Sequence, residues 1–205
     1  MFSIKVRAIS EVLIPVSKES SMEIVLIVLL VVIVVLVIAV IALYNNLIQL
    51  RNRADNAWAQ VDVQLQRRLD LIPNLVETVK GYAGHENDTF RQVTQARSAV
   101  ADAGSPLARM QADSMLTNAL KSLFAVAEAY PDLKANANFQ QLQTELAATE
   151  DKISYMRQSY NDVVMLYNNA IQTFPGMLVA GLFRFDKRES FDAQASAEEV
   201  PKVSF

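Results

Sequence analysis

The chain has 205 residues, a formal net charge of −3, and hydrophobic side chains at 52 % of its positions. That slightly acidic balance argues against an extended phosphate-tracking surface, so no nucleic-acid partner is expected. With no cysteine and one histidine, a disulfide framework, thiolate chemistry and the usual zinc ligand sets are excluded.

Residues 1–23 are a short N-terminal segment of mixed charge with a proline and no sustained period. Met22 stands directly before an apolar run and is an alternative start, which would make the first 21 residues an upstream extension. From Ile24 to Leu43 the chain reads IVLIVLLVVIVVLVIAVIAL, without a charge or a hydrogen-bonding side chain. As a helix it rises about 30 Å, the thickness of a bilayer's hydrocarbon core, and residues 24–43 are expected to span a membrane. A cleaved signal peptide would have a shorter apolar region and an extended cleavage site, whereas here the helical pattern continues through LYNNLIQLRNRADNAWAQ. Arg51 and Arg53 follow the span closely and only Lys18 lies near its other end. The positive-inside tendency therefore favours a short N-terminus outside and a cytoplasmic domain.

Beyond the span the spacing predicts an all-α domain over 44–185, an elongated antiparallel bundle continuous with the transmembrane helix. The first helix, about 44–80, carries Leu47, Leu50, Ala54, Ala57, Val61, Leu65, Leu69, Ile72, Val76 and Val79 at intervals of three and four, one stripe facing a partner. Pro73 should kink it near Leu69 or open a new helix. Gly81 and Gly84 should end it by adopting angles other residues avoid. His85 and Glu86 resemble the start of a two-histidine zinc motif, but Thr89 stands where the second histidine belongs, so the pair reads as an exposed helix start capped by Asn87 or Asp88.

A second helix is expected over about 88–103, with Phe90, Val93, Ala96 and Val100 inward. Ser105 as N-cap and Pro106 in the first turn open a third over about 106–130, including Leu107, Met110, Met115, Leu116 and Leu120 on its inner face, until Pro131 breaks it. The fourth, about 139–174, is expected to bury Leu142, Leu146, Thr149, Ile153, Met156, Tyr160, Val163, Val164, Tyr167 and Ile171 and should return toward the bilayer. LYNNLIQL at the start of the first helix recurs as LYNNAIQTF at the end of the last. Tyr44 and Tyr167 would then occupy the polar membrane interface, although packing alone would also explain both.

The apolar segment 175–185 is too short to span. Met177, Leu178, Leu182, Phe183 and Phe185 are expected either at the membrane interface or in a subunit contact, or folded back as core. Residues 186–205 read as a flexible tail. Its end alternates apolar residues, and Pro201, Val203 and the terminal carboxylate of Phe205 could dock on a neighbouring subunit or another partner.

Three separated blocks, YNNLIQLRNRADNAWAQVDVQLQRRLDLIPNLVETVKGYAGHE, YNDVVMLYNNAIQTFPGMLVAGLFRF and VPKVSF, resemble LemA-family bacterial membrane proteins in order and spacing. The resemblance covers the span through Phe205. It implies an N-terminal membrane helix, an elongated cytoplasmic helical bundle, and no established activity, catalytic residue or cofactor. It also implies a possible accessory role beside a membrane metalloprotease of the HtpX type.

The residues themselves point the same way. Carboxylates lie on helix faces among Gln, Asn and Arg, no glycine loop follows a strand, and no acid, base and nucleophile converge. Arg51, Arg53, Arg67 and Arg68 are expected to fix orientation at the bilayer and to pair with Asp55, Asp62 or Asp70. What remains is a non-enzymatic interaction protein without catalytic, cofactor or metal residues. It is either a self-assembling scaffold or an adaptor for the metalloprotease.

Overall fold

The computed structural model describes residues 18–191, and every regular element among them is a helix. In chain order these are α1 (Lys18–Lys80), α2 (Asn87–Asp102), α3 (Pro106–Glu128), α4 (Pro131–Lys134), α5 (Ala137–Gln172) and α6 (Gly176–Phe183). The all-α class expected from apolar spacing is the class observed. The chain divides into two units, Met1–Asn46 and Leu47–Phe205.

In the first unit, every side chain from Met22 to Ile41 is exposed, and this part of α1 is long and apolar enough to cross a membrane. In the second unit, the stripe Leu47, Ala54, Ala57, Val61, Leu65, Leu69, Ile72, Val76 and Val79 of α1 is buried as its spacing requires, while Leu50 is half-buried. α1 passes through Pro73 as one helix, so no new helix begins there. Proline has no N–H to offer the carbonyl four residues back. That carbonyl, on Leu69, instead accepts from Nε of Arg97 on α2 at 3.0 Å, so the missing intrahelical bond becomes a tie between two helices.

The turn after α1 also differs from expectation. No described glycine has positive φ, and a Cβ at Gly81 or Gly84 would meet only carbonyl oxygens at ordinary contact distances. The turn is made by Ala83, which is buried and donates its N–H to the Val79 carbonyl at 2.9 Å. α2 starts after Glu86 with no side-chain cap, while Asp88 pairs with Arg91 in its first turn. At α3 the sequence signal holds: Ser105 accepts from the Ala108 N–H at 3.2 Å, with Pro106 in the first turn. Pro131 ends the third helical run but also opens the extra turn α4, whose Leu133 is fully buried. α5 begins two residues earlier than expected because Asn136 caps it, accepting from the Phe139 N–H.

The domain core has two clusters. One joins Leu69–Val79 of α1 to α2, α3, α4 and the start of α5, around Val93, Leu116, Leu123, Leu133 and Leu146. The other joins Ala54–Leu65 of α1 to Met110, Ile153, Tyr160, Val164 and Phe191. Phe191 lies after the last helix, so coil as well as helix builds this second core.

Candidate functional site

Three features stand out from this frame. The first is a charge cluster inside the bundle. Arg68 of α1 falls on the same buried stripe as Val61, Leu65 and Ile72, and Asp113 of α3 falls between Met110 and Leu116. Helical spacing therefore carries both charges inward. Arg68 is 4 % exposed and Asp113 0 %. Arg68 Nη1 donates to Asp113 Oδ1 at 2.9 Å and lies 2.5 Å from Glu150 of α5, while Arg157 Nη2 donates to Asp113 Oδ2 at 2.6 Å. Burial pushes the Asp113 carboxyl above its usual range, although Arg68 and Arg157 pull it back. Two cations and two anions pair across three helices, although Arg68 Nε and Arg157 Nε are buried without a hydrogen-bond partner, and the geometry is that of a structural pin.

This corrects the expected pairing of the arginines. Arg68 serves the core, and Arg67 lies 4.0 Å from Glu145. Asp55 and Asp62 pair with Arg188 and Arg109, each at 2.7 Å, and Asp70 accepts from Gln66.

The second feature is the segment after α6, a strap along α5. Arg184, at φ 56, ends α6 in a left-handed cap. The chain then runs without regular structure from Phe185 to Phe191. Tyr167 OH donates to the Asp186 carbonyl at 2.9 Å, and Asn168 both donates to the Arg188 carbonyl and accepts its N–H. Seven residues back on α5 the contacts repeat. Tyr160 OH donates to the Glu189 carbonyl at 3.3 Å, and Asn161 clamps the N–H and carbonyl of Phe191 at 2.8 and 2.7 Å. Burial raises the pKa of both tyrosines above the usual value, with Arg188 opposing. Phe191 stacks on Tyr160 at 4.7 Å and meets Trp58 at 5.9 Å. The first part of the expected flexible tail is thus held by side chains to its backbone. Asparagine can serve a neighbouring peptide as both donor and acceptor, so this clamp reads main chain.

The third feature is α6. Val179 and Ala180 are buried, while Phe174, Met177, Leu178, Leu182 and Phe183 are exposed, Leu182 by 73 %. At its start, a Cβ on Gly176 would stand 2.1 Å from the Ala170 carbonyl oxygen, so only glycine fits this close approach. Phe185 is half-buried and donates its N–H to the Ala180 carbonyl.

Of the other residues singled out from sequence, Tyr44 is half-buried, and Tyr167 is buried within the domain with its hydroxyl on the strap. Pro201, Val203 and Phe205 lie outside the described residues. His85 is exposed, and Met115, expected inward, is 62 % exposed. No group of three or more histidine, cysteine or acidic residues suited to a metal occurs among the described residues. Sequence reasoning missed the charge pin and the clamp. The Tyr-Asn pairs at 160–161 and 167–168, one heptad apart on a helix, were the available signal for the clamp.

A helix of membrane-spanning length followed by an all-α domain defines a class of membrane-associated helical proteins. The LemA family model matches residues 57–205, and the chain belongs to that family. It is 31 % identical over 134 residues to Protein LemA of Metamycoplasma hominis, covering 63 % of this chain and 60 % of that one. Over 181 residues it is 26 % identical to Magnetosome protein MamQ 1 of Paramagnetospirillum magneticum and 25 % identical to Magnetosome protein MamQ of Magnetospirillum gryphiswaldense, in each case 76 % of this chain and 66 % of the relative. The chain thus spans two thirds or less of these relatives' length. None of their names denotes an enzyme.

Proposed function

We propose that this chain is a non-enzymatic scaffold, anchored in the bacterial cytoplasmic membrane and assembling with itself. The N-terminus lies outside and the helical domain in the cytoplasm, an orientation supported by Arg51 and Arg53 just past the span. The observation that carries the reading is the exposed apolar face of α6, at the end of the domain where the chain joins the anchor. Arg188, on the strap after α6, pairs with Asp55, and Arg51 acts on Tyr167, so α6 and the first turns of the domain share one end. In this reading Met177, Leu178 and Leu182 meet the bilayer surface, and an interfacial helix of this kind sets Arg184 at the headgroups.

Confinement to a membrane raises the local concentration of the domain, which favours contacts between copies. The shallow face between α2 and α3, where Gln92, Gln95 and Asn118 flank alanines and Met115 is exposed, is available for such a contact. Mass measurement of the full chain in mild detergent tests self-assembly. A homogeneous homo-oligomer is expected. A monomer copurifying with a membrane metalloprotease would replace the scaffold with the adaptor reading.

A further inference from the structure

We propose that residues 192–205 continue the strap along α5 and occupy the groove between α3 and α5, making the chain's own C-terminal segment a ligand of this domain. The groove is about 1300 Å³ and is lined by Leu107 and Met110 of α3, Ser154, Arg157 and Gln158 of α5 and by Phe191, the last described residue.

The clamp sets the register. Asn168 holds Arg188 and Asn161 holds Phe191, so three residues of strap advance against seven of helix. Seven helical residues rise about 10.5 Å and three extended residues span about 10 Å, so the two periods stay in step. One further step sets Gln194 opposite Ser154 and Asp192 opposite Ile153. Ile153 is buried and ends the tyrosine ladder, but Ser154 is exposed on the groove and offers a hydroxyl to the passing backbone. Ala193, Ala195 and Ala197 alternate along this stretch, and their small side chains can pass between α3 and α5 over Leu107 and Met110. From Asn161 to Glu150 the helix rises about 16 Å, which five extended residues cover. The tail is long enough, with Pro201–Phe205 to spare.

Because the natural sequence has no cysteine, one engineered pair tests the register in the full chain. Ser154→Cys with Gln194→Cys should form an intramolecular disulfide under mild oxidation, since a bridge requires Cα atoms within about 7 Å. The control is Lys152→Cys with Gln194→Cys. Lys152 is also exposed but lies about 200° round the helix from Ser154. The first pair should close about ten-fold faster or more, as expected for a partner held in place against one on a free linker. Equal rates would overturn the proposal. A disulfide-linked dimer would also overturn it, assigning the groove to the tail of a second copy.

Discussion

Removing Asp113 alone and removing the whole charge cluster have opposite expected effects. Asp113→Ala leaves Arg68, 4 % exposed, without its buried counter-ion, and should cost about 3–5 kcal/mol in urea unfolding of the domain. Replacing Arg68, Asp113, Glu150 and Arg157 together with Met, Leu, Met and Leu should be neutral or stabilising by about 1–4 kcal/mol, because it removes the desolvation of all four charges and leaves none without its counter-ion. A quadruple variant less stable than Asp113→Ala would contradict this. The raised pKa of Asp113 points the same way, since burial there outweighs its pairing with Arg68 and Arg157. A folded carboxyl that holds its proton more tightly than the unfolded one contributes stability below the ordinary carboxyl value of 3.8, and that contribution is lost as pH rises through the folded value. Stability of the natural chain relative to Asp113→Asn should therefore fall as pH rises from about 4 toward neutrality, with Arg68, Arg157 and Glu150 common to both proteins; parallel pH profiles would refute it. At this scale the sequence was least legible. Positions 68 and 113 share helix faces with Leu65, Ile72, Met110 and Leu116, but the sequence reading gave Arg68 to the bilayer and left Asp113 aside, because the prior that charges stay solvated hid a cluster that exists only when three distant helices meet.

Among the elements, helix type and approximate extent were legible because each helix carries its own apolar stripe and several carry their own caps. Ser105 with Pro106 is such a local signal. What local signals could not show were partners supplied from elsewhere, such as Arg97 for the Leu69 carbonyl and α5 for the strap. The strap lacks a stripe of its own and takes its conformation from Tyr160, Asn161, Tyr167 and Asn168, so composition alone suggested flexibility. Asn168→Ala removes two hydrogen bonds and leaves the half-buried Arg188 backbone without them. It should destabilise the strap by about 1–3 kcal/mol and speed amide exchange at Asp186–Phe191 while α2 and α3 keep their protection. Unchanged exchange in the strap would show that packing of Phe191 alone holds it.

For the whole molecule, the account requires that the anchor and α6 work on the same bilayer. A helix long and apolar enough to cross a membrane was legible from twenty uninterrupted apolar residues. The setting of α6 was not, because an apolar octamer can serve as core, subunit contact or interfacial helix, and in the domain Val179 and Ala180 are buried while Leu178 and Leu182 are exposed. The most direct test uses the full chain in vesicles, labelled with a polarity-sensitive fluorophore at Leu182→Cys or, separately, at His85→Cys. Leu47 and His85 flank the domain's part of α1, a helical rise of about 50 Å, so the second label should remain in water. The account predicts blue-shifted emission at position 182, quenched by lipid-borne quenchers, and water-like, unquenched emission at position 85. Emission at position 182 that is water-like, or blue-shifted but untouched by lipid-borne quenchers, would contradict it.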